Sequence, residues 1–335
     1  MNSYNIPIVL FTFKRVEKLL IILDRISAIK PSKIYILSDG GRNAEEHTIV
    51  EKSRSQIEDR INWNCTIVKR YSNKNIGVYE NIAGGAKWVF EKEEFAIFLE
   101  DDNLPNLSFF PFCEELLYRY KDDTRILWIC GTNYLREYEP KDGCSYVFTQ
   151  HMLPCGWASW ASKFPLFYDG ELSLWEDKSV RKQIKKTKYN HLLMKQDRRN
   201  WDSELRNKKI YKRFFSWDFQ MGFSLRVHGL LGIAPKYNQI ENIGVDLDSI
   251  HGGTSFDNIM TRRFCGIPTK SIEFPMKHPK TIQPDALFEQ LTAKIIVLPF
   301  QYRLKSYIAR FIKKIFFMKP ETSITGSIYK FFLEK

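Results

Sequence analysis

Residues 95–105 read FAIFLEDDNLP, an apolar run of five residues followed directly by three acids. A short apolar run of this kind is typical of a strand buried on both faces of a sheet. Three adjacent carboxylates at a strand end repel one another and require a compensating cation, although an acidic turn in solvent is an alternative. Carboxylate oxygens beside a diphosphate suit Mn²⁺ or Mg²⁺. The stretch therefore predicts a strand that presents Glu100, Asp101 and Asp102 to a divalent metal.

The residues around this stretch alternate predicted strands with predicted helices. Strands are expected at 6–13, 33–37, 65–69, 95–99 and 126–130. Helices are expected at 15–28, 43–60, 77–90 and 105–120. This order predicts an α/β fold with a mostly parallel, Rossmann-like sheet and helices on both faces.

Polar clusters follow four of the predicted strands, at 12–15, 38–42, 73–77 and 100–103. Because ligands bind beyond the carboxyl ends of parallel strands, the clusters are expected to form one site. Neither GxGxxG after the first strand nor GxxxxGK[ST] occurs, which disfavours a dinucleotide-binding dehydrogenase and a P-loop enzyme. The candidate ligand-binding residues in these clusters are Thr12, Arg15, Asp39, Asn75, Gly77, Glu100 and Asp101.

The acidic stretch also carries a resemblance to a known family. IFLEDDNLP at 97–105, SFF at 108–110 and FCEELL at 112–117 resemble a signature of bacterial GT-A glycosyltransferases from polysaccharide loci, often labelled family 2-like or hemolytic-protein-like. The similarity extends more distantly to Golgi N-acetylglucosaminyltransferase I. Further matches follow in the same order, covering roughly residues 5 to 255: TFKR at 12–15, SDG at 38–40, NIG at 75–77, GWASW at 156–160, WDFQ at 217–220 and NIG at 242–244.

The resemblance implies the nucleotide-diphosphosugar (GT-A) fold and a role for each matched side chain. It implies that Asp102 binds Mn²⁺ or Mg²⁺ and that Asp101 holds the donor ribose or sugar. It implies that Asp39 accepts a hydrogen bond from a uracil-type base. Arg15 and the loop 75–77 would line the nucleotide pocket. The expected donor is therefore a UDP-sugar.

Asp218 is the candidate general base, both by the resemblance and by a separate chemical argument. An inverting transfer requires a carboxylate near the acceptor hydroxyl, opposite the leaving group. Trp217 and Phe219 flank Asp218 with apolar surface, which favours a more basic carboxylate. A helix cap is the alternative role for this aspartate, and a retaining transfer also stays open.

Three tryptophans and one histidine complete the predicted site. Trp157, Trp160 and Trp217 are expected to stack on sugar rings, with core packing as the alternative. His251 lies on a glycine-bearing loop that can close over a diphosphate or a metal, and a structural loop histidine is the alternative. The resembled family usually has Trp-Gly-Trp where this chain has CGW at 155–157, so the sugar pocket is expected to differ in shape.

The formal net charge of +12 is concentrated in two segments. Residues 178–213 carry 14 Lys/Arg against 3 Asp/Glu, which indicates either an acceptor-binding lid or a solvated helical face. Residues 303–317 read RLKSYIARFIKKIFF, an amphipathic helix that would lie on an anionic membrane or dock on the domain. Membrane contact would bring the chain to a polyprenyl-diphosphate-linked acceptor. Helix-turn-helix, zinc-finger and RNA-binding patterns are absent from the sequence, so no nucleic-acid partner is expected.

The remaining features concern location and organisation. Six cysteines without a CxxC pair predict thiols in a reducing compartment. The first 15 residues show no signal-peptide pattern, and no apolar stretch is long enough to span a bilayer. These features predict a cytoplasmic protein, peripheral at the inner face of the membrane. The predicted parts are a donor-binding half at 1–131, an acceptor-binding half at 132–270 with a basic insertion at 176–213, and an extension at 271–335.

The sequence therefore predicts a transferase that moves a sugar from a nucleotide donor to a glycan or lipid-linked glycan. Its setting would be bacterial surface polysaccharide synthesis, such as capsule, O-antigen or lipopolysaccharide. A nucleotidyltransferase is one alternative, but that class carries a glycine-rich, lysine-bearing loop where this chain has TFKR at 12–15. A non-catalytic protein that binds glycans or a membrane is the other alternative.

Overall fold

The computed structural model describes residues 4–187, 189–246, 254–319 and 322. The strands within these residues are β1 Ile8–Thr12, β2 Lys33–Ser38, β3 Thr66–Tyr71, β4 Phe95–Glu100, β5 Asn103–Pro105, β6 Ile126–Cys130, β7 Tyr146–Thr149, β8 Trp157–Trp160, β9 Leu231–Pro235 and β10 Ile240–Asn242.

The helices are α1 Val16–Ser27, α2 Ala44–Arg60, α3 Gly77–Tyr79, α4 Gly85–Phe90, α5 Phe109–Arg119, α6 Phe164–Phe167, α7 Ser173–Glu176, α8 Lys178–Ile184, α9 His191–Tyr211, α10 Asp218–Val227, α11 Ile259–Phe264, α12 Ala286–Ile296 and α13 Phe300–Ile315. A π-helical turn, Glu80–Gly84, joins α3 to α4. Asn43 caps α2, because its Oδ1 accepts the N–H of Glu46 at 2.9 Å.

A sheet of eight strands in the order β3-β2-β1-β4-β8-β6-β9-β7 forms the centre of the fold. The pairs β1–β2, β2–β3, β1–β4 and β6–β9 are parallel. The pairs β4–β8, β6–β8 and β7–β9 are antiparallel. Strands β5 and β10 form a separate antiparallel pair. The chain thus has the predicted α/β fold with a large, mostly parallel central sheet.

Helices cover both faces of the sheet, as the alternation of strand side chains requires. On one face, Ile8 and Leu10 of β1 share a hydrophobic cluster with Leu19 of α1. On the other face, Phe98 of β4 packs edge-on against Phe90 of α4, with ring centroids 5.3 Å apart. The prediction of helices on both faces is therefore confirmed.

Strand β8 is the main difference from the predicted sheet, since no strand is predicted at 157–160. The structure inserts β8 antiparallel between β4 and β6. All four of its residues are buried. Such a short, doubly buried strand shows neither polar alternation nor a long apolar run, so periodicity does not reveal it.

The strand order reverses at β1, because β2 and β3 lie on one side of it and β4 lies on the other. Open α/β sheets bind ligands at this reversal, beyond the carboxyl ends of the strands. Thr12 ends β1 and Glu100 ends β4, and Phe11 is paired with Glu100 in the register. The reversal thus brings the predicted polar clusters 12–15 and 100–103 to one place.

The chain divides into two compact units, Met1–Lys294 and Ile295–Lys335. Helix α13 belongs to the second unit, and none of its residues is buried. In the described part of the chain, no helix is both long and apolar enough to cross a membrane. All six cysteines lie among the described residues, and no disulfide joins any of them.

Candidate functional site

The acidic corner, defined as Glu100, Asp101 and Asp102, lies where β4 ends. Arg15, the residue before α1, forms an ion pair with Asp101 and reaches Asp102 Oδ2 with its Nη2 at 3.1 Å. Asn103 Nδ2 donates to the other oxygen of Asp102 at 2.6 Å. Arg15, which is predicted to line the nucleotide pocket, is therefore in direct contact with two of the three predicted acids.

The motif at 242–244 folds against this corner. The N–H of Ile243 donates to the carbonyl oxygen of Asp102 at 2.9 Å, and Gly244 donates its N–H to Asn242 Oδ1 at 2.9 Å. A Cβ atom at Gly244 would collide with the carboxylate of Asp102, so the carboxylate would have to move to admit a larger residue. The resembled motif thus has a physical role in this chain, which is to leave room for the Asp102 side chain.

The charges of the corner are crowded, and Asp218 adds to them. Removal from water and the carboxylates of Asp102, Asp101 and Asp218 raise the pKa of Glu100 well above its usual range. Burial raises the pKa of Asp101 to about 6, although Arg15 opposes this increase. Asp218 therefore lies within electrostatic reach of the acidic corner, even though more than 100 residues separate them in the chain.

Asp101 and Asp102 are the oxygen ligands that the corner offers to a divalent ion, and Arg15 donates to both of them. No group of three or more His, Cys, Asp or Glu side chains within the described ranges is arranged as a complete metal site. A Mg²⁺-type ion bound with a nucleotide commonly takes only one or two carboxylates, and phosphates and water fill its other positions. Asp102, with Asp101 beside it, supplies such oxygens. His251, the other predicted ligand, lies outside the described residues.

Asp39 connects the end of β2 to the loop before α3. Its Oδ1 accepts the N–H groups of Gly40 and Ile76, both at 2.8 Å. Its Oδ2 accepts the N–H of Gly77 at 3.0 Å and Asn75 Nδ2 at 2.9 Å. The structure thus brings Asp39, Asn75 and Gly77 together, and their contact with a nucleotide stays a prediction. A base that bonded to Asp39 would compete with four donors of the chain itself.

Thr12 presents an unpaired polar group at the end of β1. Its side chain is 3% exposed, and Oγ1 has no hydrogen-bond partner among the described residues. Buried hydroxyl groups are nearly always hydrogen-bonded, so an unpaired one calls for a further polar group or water. The hydroxyl therefore lacks a protein partner, and ligand contact by Thr12 stays a prediction.

Asp218 begins α10 and is presented by a hydrogen-bonded turn. Ser216 Oγ donates to Asp218 Oδ1 at 2.6 Å and accepts the N–H of Phe219 at 3.0 Å. Ser216 therefore caps the first turn of the helix, the alternative role considered for Asp218. The side chain of Asp218 is half-buried, and Tyr134 and Tyr168 both feel its charge in addition to their burial, which raises their pKa values.

Glu204 holds the same turn, although it is not among the residues predicted from the sequence. Its Oε2 accepts the N–H groups of Phe215 at 2.8 Å and Ser216 at 3.0 Å, and its side chain is 3% exposed. Trp201, also on α9, donates its indole N–H to the carbonyl of Phe219 at 3.1 Å. The sequence does contain one indication of this role. Glu204 lies three residues after Trp201, so both side chains lie on the buried face of the basic helix α9.

The three predicted stacking tryptophans are core residues. The ring of Trp157 lies between those of Phe98 and Trp128, at centroid distances of 3.9 and 4.3 Å. Trp160 is fully buried, and Trp217 packs on Trp157 at 5.6 Å. This corrects the predicted stacking on a sugar for Trp157, because other rings cover both of its faces. The side chains of Trp160 and Trp217 are also buried, so a sugar ring does not reach them in this structure.

Comparisons with known proteins add similarity at a low level. The sequence matches no protein-family model and no curated protein. Apo UDP-glucose pyrophosphorylase is 10% identical, with a TM-score of 0.35 over 71% of this chain and 93% of that one. HddC from Yersinia pseudotuberculosis, complexed with GMP-PN, is 9% identical, with a TM-score of 0.29 over 48% and 78%. The bifunctional glycosyltransferase WbbM is 10% identical, with a TM-score of 0.31 over 91% and 52%.

Proposed function

We propose that this chain is a glycosyltransferase that moves a sugar from a nucleotide-diphosphate donor to a hydroxyl group of a glycan or lipid-linked glycan. The observation that carries the proposal is the position of the acidic corner at the strand-order reversal, with Asp218 in electrostatic reach of it. A metal-dependent, inverting sugar transfer needs these two elements, acids for the diphosphate end and a separate carboxylate for the acceptor.

The donor end of the site is assigned to the residues around β1, β2 and β4. Arg15 would turn from its carboxylate partners toward the donor diphosphate, since a guanidinium binds phosphate oxygens well. Asp39 would keep the loop 75–77 in place beside the nucleotide, and Thr12 would give its hydroxyl to the donor. Asp102 and Asp101 would hold Mn²⁺ or Mg²⁺, which would stabilise the negative charge of the departing diphosphate.

The acceptor end of the site is assigned to Asp218. We propose an inverting transfer in which this carboxylate takes the proton of the acceptor hydroxyl. The acceptor oxygen then bonds to C1 of the donor sugar, and the bond from C1 to the diphosphate oxygen breaks. The electron pair of that bond leaves with the nucleoside diphosphate. Ser216, which donates to Asp218, would keep one carboxylate oxygen directed and leave the other for the acceptor.

The test compares wild type with Asp218→Asn on a panel of nucleotide sugars and glycan acceptors. We expect Asp218→Asn to bind UDP and Mn²⁺ as wild type does, and to lose transfer by about 10²- to 10⁴-fold, the usual contribution of a general base. Asp122→Asn, on an exposed turn, is the matched control and should keep full turnover. Normal turnover of Asp218→Asn would remove its assignment as base.

The same assay separates the competing reactions. Transfer of a sugar releases a nucleoside diphosphate, whereas transfer of a nucleotide from a triphosphate releases pyrophosphate. Pyrophosphate release with a sugar phosphate would replace the proposal with a nucleotidyltransferase. The anomeric configuration of the product, measured by NMR, decides between inversion and retention.

We also propose that α13 binds an anionic membrane surface, which would keep the enzyme in the cytoplasm at the inner face of the membrane. Phe300, Tyr307 and Phe311 are 69%, 61% and 57% exposed, and the helix contains no acidic residue. Exposed apolar and basic side chains suit anionic headgroups. Co-sedimentation with phosphatidylglycerol vesicles, but not with phosphatidylcholine vesicles, is the expected result. Equal recovery with both would contradict it.

The proposed division of labour follows the order of the chain. Residues 1–131 would bind the donor, and residues 132–270, including the basic insertion 176–213, would bind the acceptor. We propose that such an enzyme acts in the synthesis of a bacterial surface polysaccharide. Residues 271–335 would supply the membrane contact.

A further inference from the structure

The guanidinium of Arg15 contacts the same carboxylate oxygens that the corner offers to a divalent ion. It forms an ion pair with Asp101, and its Nη2 lies 3.1 Å from Asp102 Oδ2. Asn103 Nδ2 donates to Asp102 Oδ1 at 2.6 Å. Both oxygens of Asp102 therefore already accept a hydrogen bond from the chain. A cation that binds there has to displace the guanidinium or lie beside its positive charge.

The contact between Arg15 and the two acids is shielded from water. The side chains of Asp101 and Asp102 are 8% and 14% exposed, and that of Arg15 is 20% exposed. Partly buried charge pairs are screened by salt much less than exposed pairs. Within the residues that the structure describes, no other Lys or Arg forms an ion pair with either acid. Arg15 is thus the counter-ion that allows the two carboxylates to lie side by side.

The side chain of Arg15 can change partners without a change in the backbone. Its carbonyl oxygen accepts the N–H of Leu19 at 3.3 Å, which attaches the residue to the first turn of α1. Both of its contacts with the acids use one nitrogen atom, Nη2, although a guanidinium has five N–H donors. Phosphate oxygens can accept from two of these donors at once. A diphosphate beside the corner would therefore compete well for this side chain.

A divalent ion alone and a divalent ion with a diphosphate meet different conditions at the corner. The ion alone competes with Arg15 for the carboxylates and is repelled by its charge. A diphosphate gives the guanidinium another anionic partner, which releases Asp101 and Asp102. We infer that Arg15 makes the binding of a divalent ion at the acidic corner depend on a diphosphate, so that the ion binds weakly alone and tightly with it.

This dependence is a coupling between two ligands, and such coupling is reciprocal. The ion therefore raises the affinity for the diphosphate by the same factor as the diphosphate raises the affinity for the ion. The inference rests on the proposed function in one respect, which is that the corner takes a divalent ion. It requires a diphosphate but not a nucleoside or a sugar.

Equilibrium dialysis of the full chain measures protein-bound manganese over a series of Mn²⁺ concentrations. Mn²⁺ is offered alone, with UDP or with pyrophosphate. The variants are Arg15→Gln, the double variant Arg15→Gln/Asp102→Asn, and the control Lys18→Gln. Lys18 lies one turn after Arg15 on α1 and pairs with Asp246, outside the corner. The control therefore removes the same charge from the same end of the helix.

For Mn²⁺ alone, we expect Arg15→Gln to bind at least about tenfold more tightly than wild type, a factor typical of coupling between two ligands. Lys18→Gln should bind as weakly as wild type, and the double variant should lose the gain. A diphosphate should raise manganese binding by wild type at least about tenfold. Equal affinity of wild type and Arg15→Gln for Mn²⁺ alone would overturn the inference, and so would a gain that survives in the double variant.

The two diphosphates distinguish this inference from the proposed function. An effect of pyrophosphate without any effect of UDP would count against the nucleotide donor and leave the role of Arg15 standing. No effect of either diphosphate on wild type would overturn the inference. The wild-type measurements need no substitution, so they test the dependence even if Arg15→Gln does not fold.

Discussion

Replacing Glu204 by Ala tests whether the basic helix α9 positions the candidate base. Oε2 of Glu204 accepts the N–H groups of Phe215 and Ser216, and Oε1 accepts Asn207 Nδ2 at 2.9 Å. The side chain is buried, so water does not readily replace it in the variant. The two backbone N–H groups would lose their acceptor, and the turn that presents Asp218 would loosen.

The size of the effect follows from these contacts. A hydrogen bond to a charged acceptor contributes about 1.5 to 3 kcal/mol, so the two backbone bonds together predict a loss of about 3 to 6 kcal/mol in the free energy of unfolding. Relaxation of the turn favours the lower end of this range. Transfer activity should fall further than stability alone explains, since Asp218 is displaced, while affinity for UDP and Mn²⁺ should change little.

Urea denaturation and initial-rate kinetics, both at a temperature where the variant is folded, measure the two effects. Glu176→Ala removes an exposed carboxylate of α7 in the same region and should change stability by no more than about 0.5 kcal/mol. A Glu204→Ala protein with wild-type stability and wild-type kcat would refute the positioning role.

Three further substitutions test individual contacts. Gly244→Ala would push a methyl group into the carboxylate of Asp102. Calorimetry should then show that the affinity for UDP with Mn²⁺ is lowered about 10- to 100-fold. Unchanged affinity would contradict the assigned contact. Trp157→Ala should lower the free energy of unfolding, measured in urea, by about 3 to 5 kcal/mol because the indole lies in the core. A variant of wild-type stability with only a raised KM would instead support a sugar-stacking role. Asp39→Asn places an amide donor among four donors, so the free energy of unfolding should fall by about 1 to 3 kcal/mol in thermal or urea unfolding. No loss would show that the loop 75–77 does not depend on the Asp39 carboxylate.

The first half of the fold could be predicted from the sequence because its elements are long and regular. Strands β1, β2 and β4 are apolar runs that are followed by polar residues, and Asn43 marks the start of α2. The reversal of strand order then places their ends together without any detailed contact being known. The acidic corner and Arg15 follow from this argument.

The remaining features depend on tertiary contacts that a linear pattern does not carry. The burial of Trp157 is decided by Phe98 and Trp128, which come from two other strands of the sheet. The role of Glu204 is decided by a turn eleven residues away, and in the sequence it is one acid among many basic residues. The four internal donors to Asp39 are equally invisible, because most of them come from the loop after β3.

The proposed function requires that the acidic corner hold a divalent ion together with a diphosphate. A crystal grown with Mn²⁺ and UDP, with anomalous scattering measured at the manganese edge, tests it most directly. The proposed function predicts an anomalous peak within coordination distance, about 2.2 Å, of an oxygen of Asp102, with the diphosphate beside it. UDP bound elsewhere, with no anomalous peak at Asp102, would contradict it.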